Sequence, residues 1–295
     1  MDRASEAVEQ LWPRRSATLE ELGGGITNRN YKVTVGDEVF VLRMGGAKTS
    51  LLGIDRSVEH AAAVRAFEVG IGPEVVRFVP EEGWLVCRFI SGTPIEASAM
   101  RSASGLSRVA RALRAFHGAD AIPGRFDAWG VVDAYHALAT THGASVPAGF
   151  GSLRAVAERI RSARGPQPMV PCHNDLLNAN FLDDGGAVRI VDWEYAGMGD
   201  RFFDLANFSV NHDLSVEDDG GLLDAYFGEV HTSDVAAIRL MRFMSDFREA
   251  MWGVLQSVIS DLDFDFGGYA ATHFARMTAT ASDPEFEEHL GRGDS

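Results

Sequence analysis

Residues 173–181 read His-Asn-Asp-Leu-Leu-Asn-Ala-Asn-Phe and lie between two short β-type runs, Met169 to Cys172 and Val188 to Val191. This stretch constrains the fold more than any other part of the chain. The second run leads directly into Val191-Asp192-Trp193-Glu194-Tyr195. Asn and Asp favour turns on their own account, so Asp175, Asn178 and Asn180 taken singly are ordinary turn formers, and Asp192 taken singly caps a strand. Together they form a pattern: an Asp, an Asn five residues later, and a second Asp after a strand. Such a loop must be held by strands on both sides and by a scaffold large enough to fix it.

The rest of the chain supplies that scaffold in two parts. Tyr31 to Val35 and Val39 to Arg43 alternate apolar and polar residues around Gly36-Asp37, the signature of a β-hairpin, and Arg43 falls in register with Val39 and Val41. A helix is expected from Ser57 to Val69, stopped by Gly70 and by Gly72-Pro73, followed by strands at Val75 to Phe78 and Trp84 to Phe89. Ser91-Gly92-Thr93-Pro94 reads as a hinge. Beyond it, Leu106 to His117 and Leu153 to Arg161 have helical periodicity, separated by a Gly- and Pro-containing stretch. From Ser233, read as an N-cap, a long helix runs through Met241, Phe247, Trp252 and Leu255. The expected architecture is α+β and two-lobed, with a small β-rich lobe over 1–90 and a larger, mainly helical lobe over 91–295.

Composition narrows the setting. The 295 residues are 46% hydrophobic, enough for a sizeable core, and the formal net charge is -15. Binding to a phosphate backbone needs clustered Lys and Arg, and no such cluster is present, so a nucleic-acid partner is not expected. Cys87 and Cys172 are in apolar surroundings without paired spacing and read as core residues of a reducing compartment. The opening MDRASEAVEQLW lacks the basic and apolar regions of a leader, and no stretch has the apolar length of a membrane span. A cytoplasmic protein without membrane insertion is expected, of unknown oligomeric state.

An Asp, an Asn five residues on and a second Asp after a strand form the arrangement that protein-kinase-like phosphotransferases use. Its chemistry follows from the residue types. Asp175 can accept the proton of an acceptor hydroxyl held in line with a γ-phosphate, and the oxygens of Asn180 and Asp192 suit a hard cation such as Mg²⁺. His173 reads as a packed brace. With the HND loop and the DWEY segment, the chain resembles the choline/ethanolamine kinase family, itself related to aminoglycoside phosphotransferases. Phe203-Asp204-Leu205-Ala206-Asn207 resembles that family's FDIxN stretch, which implies that Asp204 braces the loop. Glu194 is left between ordering the metal site and a structural salt bridge. The resemblance spans nearly the whole chain and implies a protein-kinase-like fold with ATP and Mg²⁺ as cofactors.

The same resemblance gives roles to the first lobe. Leu22 to Tyr31 is similar to the family's GGxSN segment, which would bring Gly25, Thr27, Asn28 and Asn30 to the nucleotide phosphates. Arg43 stands where protein kinases place a lysine, with Glu59 as its expected partner. Val86 to Ile90, with Arg88 and Ile90, would offer backbone groups to adenine. On the acceptor side the resemblance implies an aromatic pocket for a small cationic alcohol, choline first and ethanolamine next, formed by Tyr195, Trp252 and Tyr269. An aromatic on a long helix is otherwise a core residue. The chain departs from the animal pattern twice, with Asn211 in place of a glutamate and Glu249 in place of a second tryptophan. A kinase for an aminoglycoside, thiamine or another hydroxylated metabolite shares the Asp-Asn-Asp machinery. A catalytically silent nucleotide-binding protein would have lost the base or a ligand, and Asp175, Asn180 and Asp192 are all present.

Overall fold

In the computed structural model, which describes residues 2–23, 28–46 and 48–292, Asp2 caps helix α1 (Arg3–Leu11) by accepting the Ser5 amide at 2.8 Å. The helix turns Ala4, Ala7 and Leu11 inward onto an antiparallel sheet. That sheet contains β1 (Ala17–Leu22), β2 (Asn28–Val35), β3 (Glu38–Gly45), β4 (Val75–Val79) and β5 (Trp84–Arg88), in the order β1-β2-β3-β5-β4. The hairpin at Gly36-Asp37 is present, with Val35 paired to Glu38 and Gly36 at φ +63°, a conformation glycine reaches without a Cβ clash. Strand alternation then sorts the side chains. Tyr31, Val33, Phe40, Leu42, Trp84 and Val86 pack with α1 in one core, and Arg43 is left on the opposite face.

Helix α2 (Arg56–Glu68) is capped by Asp55, which accepts the Ser57 amide at 2.8 Å, and Gly70 follows its end at φ +79°. Its alanines at 62, 63 and 66 join the larger core of the second lobe, so α2 ties the two lobes together. After β5 the chain leaves the first sheet. β6 (Thr93–Pro94), from the expected hinge, pairs with β8 (Phe181–Asp183), which pairs with β9 (Val188–Ile190). A second small ladder joins β7 (Met169–Cys172) to β10 (Gly197–Asp200).

The remainder is helical: α3 (Ala97–Met100), α4 (Ala103–His117), α5 (Ala128–Thr141), α6 (Phe150–Arg164), α7 (Arg201–Asn211), α8 (Val216–Phe227), α9 (Thr232–Ile259), α10 (Phe266–Ala281) and α11 (Pro284–Arg292). Two expectations need correction. The stretch between α4 and α6 contains α5, nucleated by the Asp127 cap. Helix α9 begins before Ser233, because the Asp234 carboxylate reaches back to the His231 amide at 2.9 Å and moves the cap to His231. With 28 residues and about 42 Å of length, α9 is the axis on which α5, α7, α10 and α11 pack. No helix among the described residues is long and apolar enough to cross a membrane. Both cysteines are free, Cys172 buried and Cys87 half-buried.

Candidate active site

The loop after β7 is clamped by one turn of α7. Asp204 accepts the amides of His173 and Asn174, each at 2.7 Å, and Asn207 accepts the Leu176 amide at 2.6 Å. His117 Nε2 meets the same Asp204 oxygen as the His173 amide, at 3.0 Å. This is the bracing geometry that the FDLAN stretch implied. The Asp175 amide donates to His173 Nδ1 at 3.2 Å, so the ring proton is on Nε2, which donates to the Val191 carbonyl at 3.0 Å. Burial holds the His173 pKa below its ordinary value, as a fixed neutral brace requires. Asn174 and Asp192 adopt φ +66° and +68°, a left-handed conformation that costs a non-glycine residue about 1 kcal/mol or more. The first is secured by Asn174 Nδ2 donating to the Tyr195 carbonyl at 3.0 Å.

These contacts bring Asp175, Asn180 and Asp192 onto adjoining segments. Asn180 Nδ2 donates to the Asp175 carbonyl at 2.8 Å, and the Val191 amide donates to the Asn180 carbonyl at 3.0 Å. Burial pushes Asp175 up to about 7, against the pull of Arg248. Burial likewise pushes Asp192 up to about 7, against Arg43 and reinforced by Glu194 and Glu59. A cation at this place would relieve both.

From the first lobe, Arg43 Nη1 pairs with Glu59 and lies 3.0 Å from Asp192 Oδ1, while Nη2 is 3.2 Å from Glu194 Oε2. Arg56 joins the group at 2.6 Å from Glu59 and 3.3 Å from Glu194, and Asn28 bridges Glu194 and Arg56 at 2.8 Å each. Burial works against the Arg43 charge, but Glu59, Asp192 and Glu194 outweigh it and hold its pKa above the usual arginine value. Two arginines face three carboxylates here. The anionic excess, and an Asp192 Oδ1 that takes no hydrogen bond among the described residues, fit a divalent cation with oxygen ligands.

The acceptor side is equally connected. Trp252 Nε1 donates to the Tyr195 hydroxyl at 3.1 Å, Tyr269 donates to Glu249 Oε2 at 2.8 Å, and the Trp252 and Tyr269 rings meet edge to face at 5.6 Å. Arg248 stands among them, 3.1 Å from Asp175 Oδ1 and 2.5 Å from Glu249 Oε1, with its guanidinium 4.4 Å from the centre of the Tyr195 ring.

The remaining expected residues divide. Gly25 and Thr27 lie outside the described residues. Asn30 is opposite Arg43 in the β2–β3 register. The Asn28 side chain serves the Glu194 and Arg56 network. The Arg88 side chain points to the α1 face, pairing with Glu38 at 2.8 Å and stacking on Phe40, so it is turned away from Arg43. Asn211 Nδ2 is buried without a hydrogen-bond partner among the described residues. Sequence reasoning missed Arg56 and Arg248. The only signal for either was an arginine beside an expected site residue, Glu59 three positions on and Glu249 next in line.

Known proteins resemble this chain over most of its length. The pattern of the Phosphotransferase enzyme family matches residues 18–242. A solved structure of a choline/ethanolamine kinase family protein from Mesorhizobium loti is 32% identical and superposes with a TM-score of 0.84, covering 99% of this chain and 98% of that one. Mouse ethanolamine kinase 1 is 27% identical, the match covering 89% of this chain and 84% of the mouse protein. The fold alone is shared with choline kinase LicA from Streptococcus pneumoniae, at 23% identity and a TM-score of 0.79 over 95% of this chain and 98% of that one.

Proposed function

The chain belongs to the phosphotransferase enzyme family, within its choline/ethanolamine kinase branch, and on that premise we propose that it phosphorylates the hydroxyl of a small amino alcohol, choline or ethanolamine, at the expense of ATP. The observation that carries the reading is the convergence of Asp175, Asn180 and Asp192 on one braced loop system, with Arg43 delivered to it from the other lobe. Asp175 accepts the acceptor's proton. Arg43, oriented by Glu59 and Glu194, meets phosphate oxygens, and its buried Nε, without an acceptor among the described residues, supports that assignment. Asn180 and Asp192 hold Mg²⁺, which when bound shields the charge of the phosphates.

For the nucleotide base, the Arg88 amide is already taken by the Glu74 carbonyl at 2.8 Å and the Ile90 carbonyl by the Gly92 amide at 2.9 Å. We assign the Arg88 carbonyl and the Ile90 amide to adenine. We place the lobe boundary after Ile90, and the enzyme in the cytoplasm.

The test is ADP release from Mg-ATP with choline, ethanolamine, other amino alcohols, thiamine and aminoglycosides. Turnover of choline or ethanolamine that disappears in Asp175→Asn is the expected result. Turnover of neither amine overturns the acceptor assignment, and undiminished turnover in Asp175→Asn overturns the mechanism.

A further inference from the structure

The braces on the catalytic loop stop at its backbone. Asp204 and Asn207 take the amides of His173, Asn174 and Leu176, and neither reaches the Asp175 carboxylate. Among the described residues one group does: Arg248, 1% exposed, whose Nη1 donates to Asp175 Oδ1 at 3.1 Å. Asp175 Oδ2 takes no hydrogen bond among the described residues and is not sealed from solvent, and the side chain keeps 12% of its exposure. We propose that Arg248 is a positioning residue for phosphoryl transfer: it pins Oδ1, so that Oδ2 is the oxygen turned to the acceptor hydroxyl. The inference rests on the amino-alcohol kinase reading above. In the step itself the hydroxyl proton passes to Oδ2 as the hydroxyl oxygen bonds the γ-phosphorus and the bond from that phosphorus to ADP breaks.

Three features support it. The first is that Arg248 is itself fixed: its guanidinium rests on the Tyr195 ring at 4.4 Å, and Nη1 also donates to Glu249 Oε1 at 2.5 Å. The second is a closed ring of bonds. Asn207 Nδ2 donates to the same Glu249 oxygen at 3.3 Å, while Asn207 Oδ1 accepts the Leu176 amide at 2.6 Å. The path therefore runs from Asp175 through Arg248, Glu249 and Asn207 back to the residue after Asp175. Carboxylate and loop backbone are held to one α7 side chain. The third is cost. Arg248 Nε and Nη2 are buried without an acceptor among the described residues, and a buried ion cluster is no more stabilising than well-packed apolar side chains. A residue kept only for packing would be apolar here. The charges agree with a cationic acceptor: two carboxylates outnumber the one guanidinium, so fixing Asp175 leaves a negative pocket.

The test is a double-mutant cycle read as ADP release at saturating Mg-ATP and amino alcohol. Arg248→Met should lower kcat about a hundredfold, the scale of a reacting group misplaced by about 1 Å, and leave the KM for ATP within about threefold. In the Asp175→Asn background the same substitution should cost less than about threefold, because the carboxylate it orients is already gone. A loss below about fivefold in the first comparison overturns the inference. So does an equal loss in both backgrounds, which would make Arg248 a residue of general structure. If Arg248→Met does not fold, the same cycle with Arg248→Gln decides. An unmodified enzyme that turns over no acceptor of the panel sinks the kinase reading and this inference with it, whereas full turnover in Arg248→Met sinks the inference alone.

Discussion

Two buried arginines reach the catalytic loops, one from each lobe, and each lies in a cluster where carboxylates outnumber arginines by one. Arg43, on β3, is outnumbered by Glu59, Asp192 and Glu194 even with Arg56 beside it. Its partners come from α2 and from residues following β9, so the cluster ties the lobes together and keeps a negative excess where a metal fits. Arg248, on α9, meets two carboxylates, Asp175 and Glu249, within one lobe and retains two donors without acceptors among the described residues. The clusters differ in place rather than in sign: the first joins the two lobes, and the second lies within one lobe beside the proton acceptor.

The largest effect expected on the second cluster is at its reactive member. Asp175→Asn keeps the shape of the loop but removes the proton acceptor, and should lower kcat by about a thousandfold in the ADP-release assay. A loss below tenfold would mean that Asp175 serves only as a partner for Arg248.

Next in size, Arg43→Met leaves Glu59 and Glu194 facing Arg56 alone, and stability measured by urea unfolding should fall by about 3–5 kcal/mol, as when one partner of a buried ion pair is removed. A loss under about 1 kcal/mol would show that Arg56 suffices and that the lobes are not held by Arg43.

Asp204→Asn tests the frame common to both clusters. It weakens two charge-assisted bonds to the loop amides at 2.7 Å each, so about 2 kcal/mol of stability and about tenfold in kcat should be lost together. Loss of stability with kcat intact would remove Asp204 from the positioning of Asp175.

How far these features could be read from the chain follows the same division. The HND loop, DWEY and FDLAN were legible because their chemistry fixes residue types at fixed short spacing, and the Arg43–Glu59 pair followed from a strand and the helix after it. Arg248 was not legible. It meets Asp175 across 73 positions, and on a helix a lone arginine reads as a solvated charge until the burial of nearly every residue around it is known. Helix α1 was passed over because its apolar face is three residues wide and only the sheet beneath gives that face a partner. Helix α5 was hidden by the Gly and Pro residues flanking it, although the Asp127 cap marks its start.

The smallest effect sharpens the contrast from the side of Glu249. Tyr269→Phe removes one of the three donors to that carboxylate and leaves Arg248 and Asn207 in place, so stability should fall by about 1 kcal/mol, the usual net worth of a hydrogen bond. The acceptor KM should change by less than about threefold, because the orientation and the charge of Glu249 are set by the guanidinium 2.5 Å away rather than by the phenol. A rise in KM of about tenfold or more would reverse that order. It would make Tyr269, rather than Arg248, the group that holds Glu249 for the acceptor.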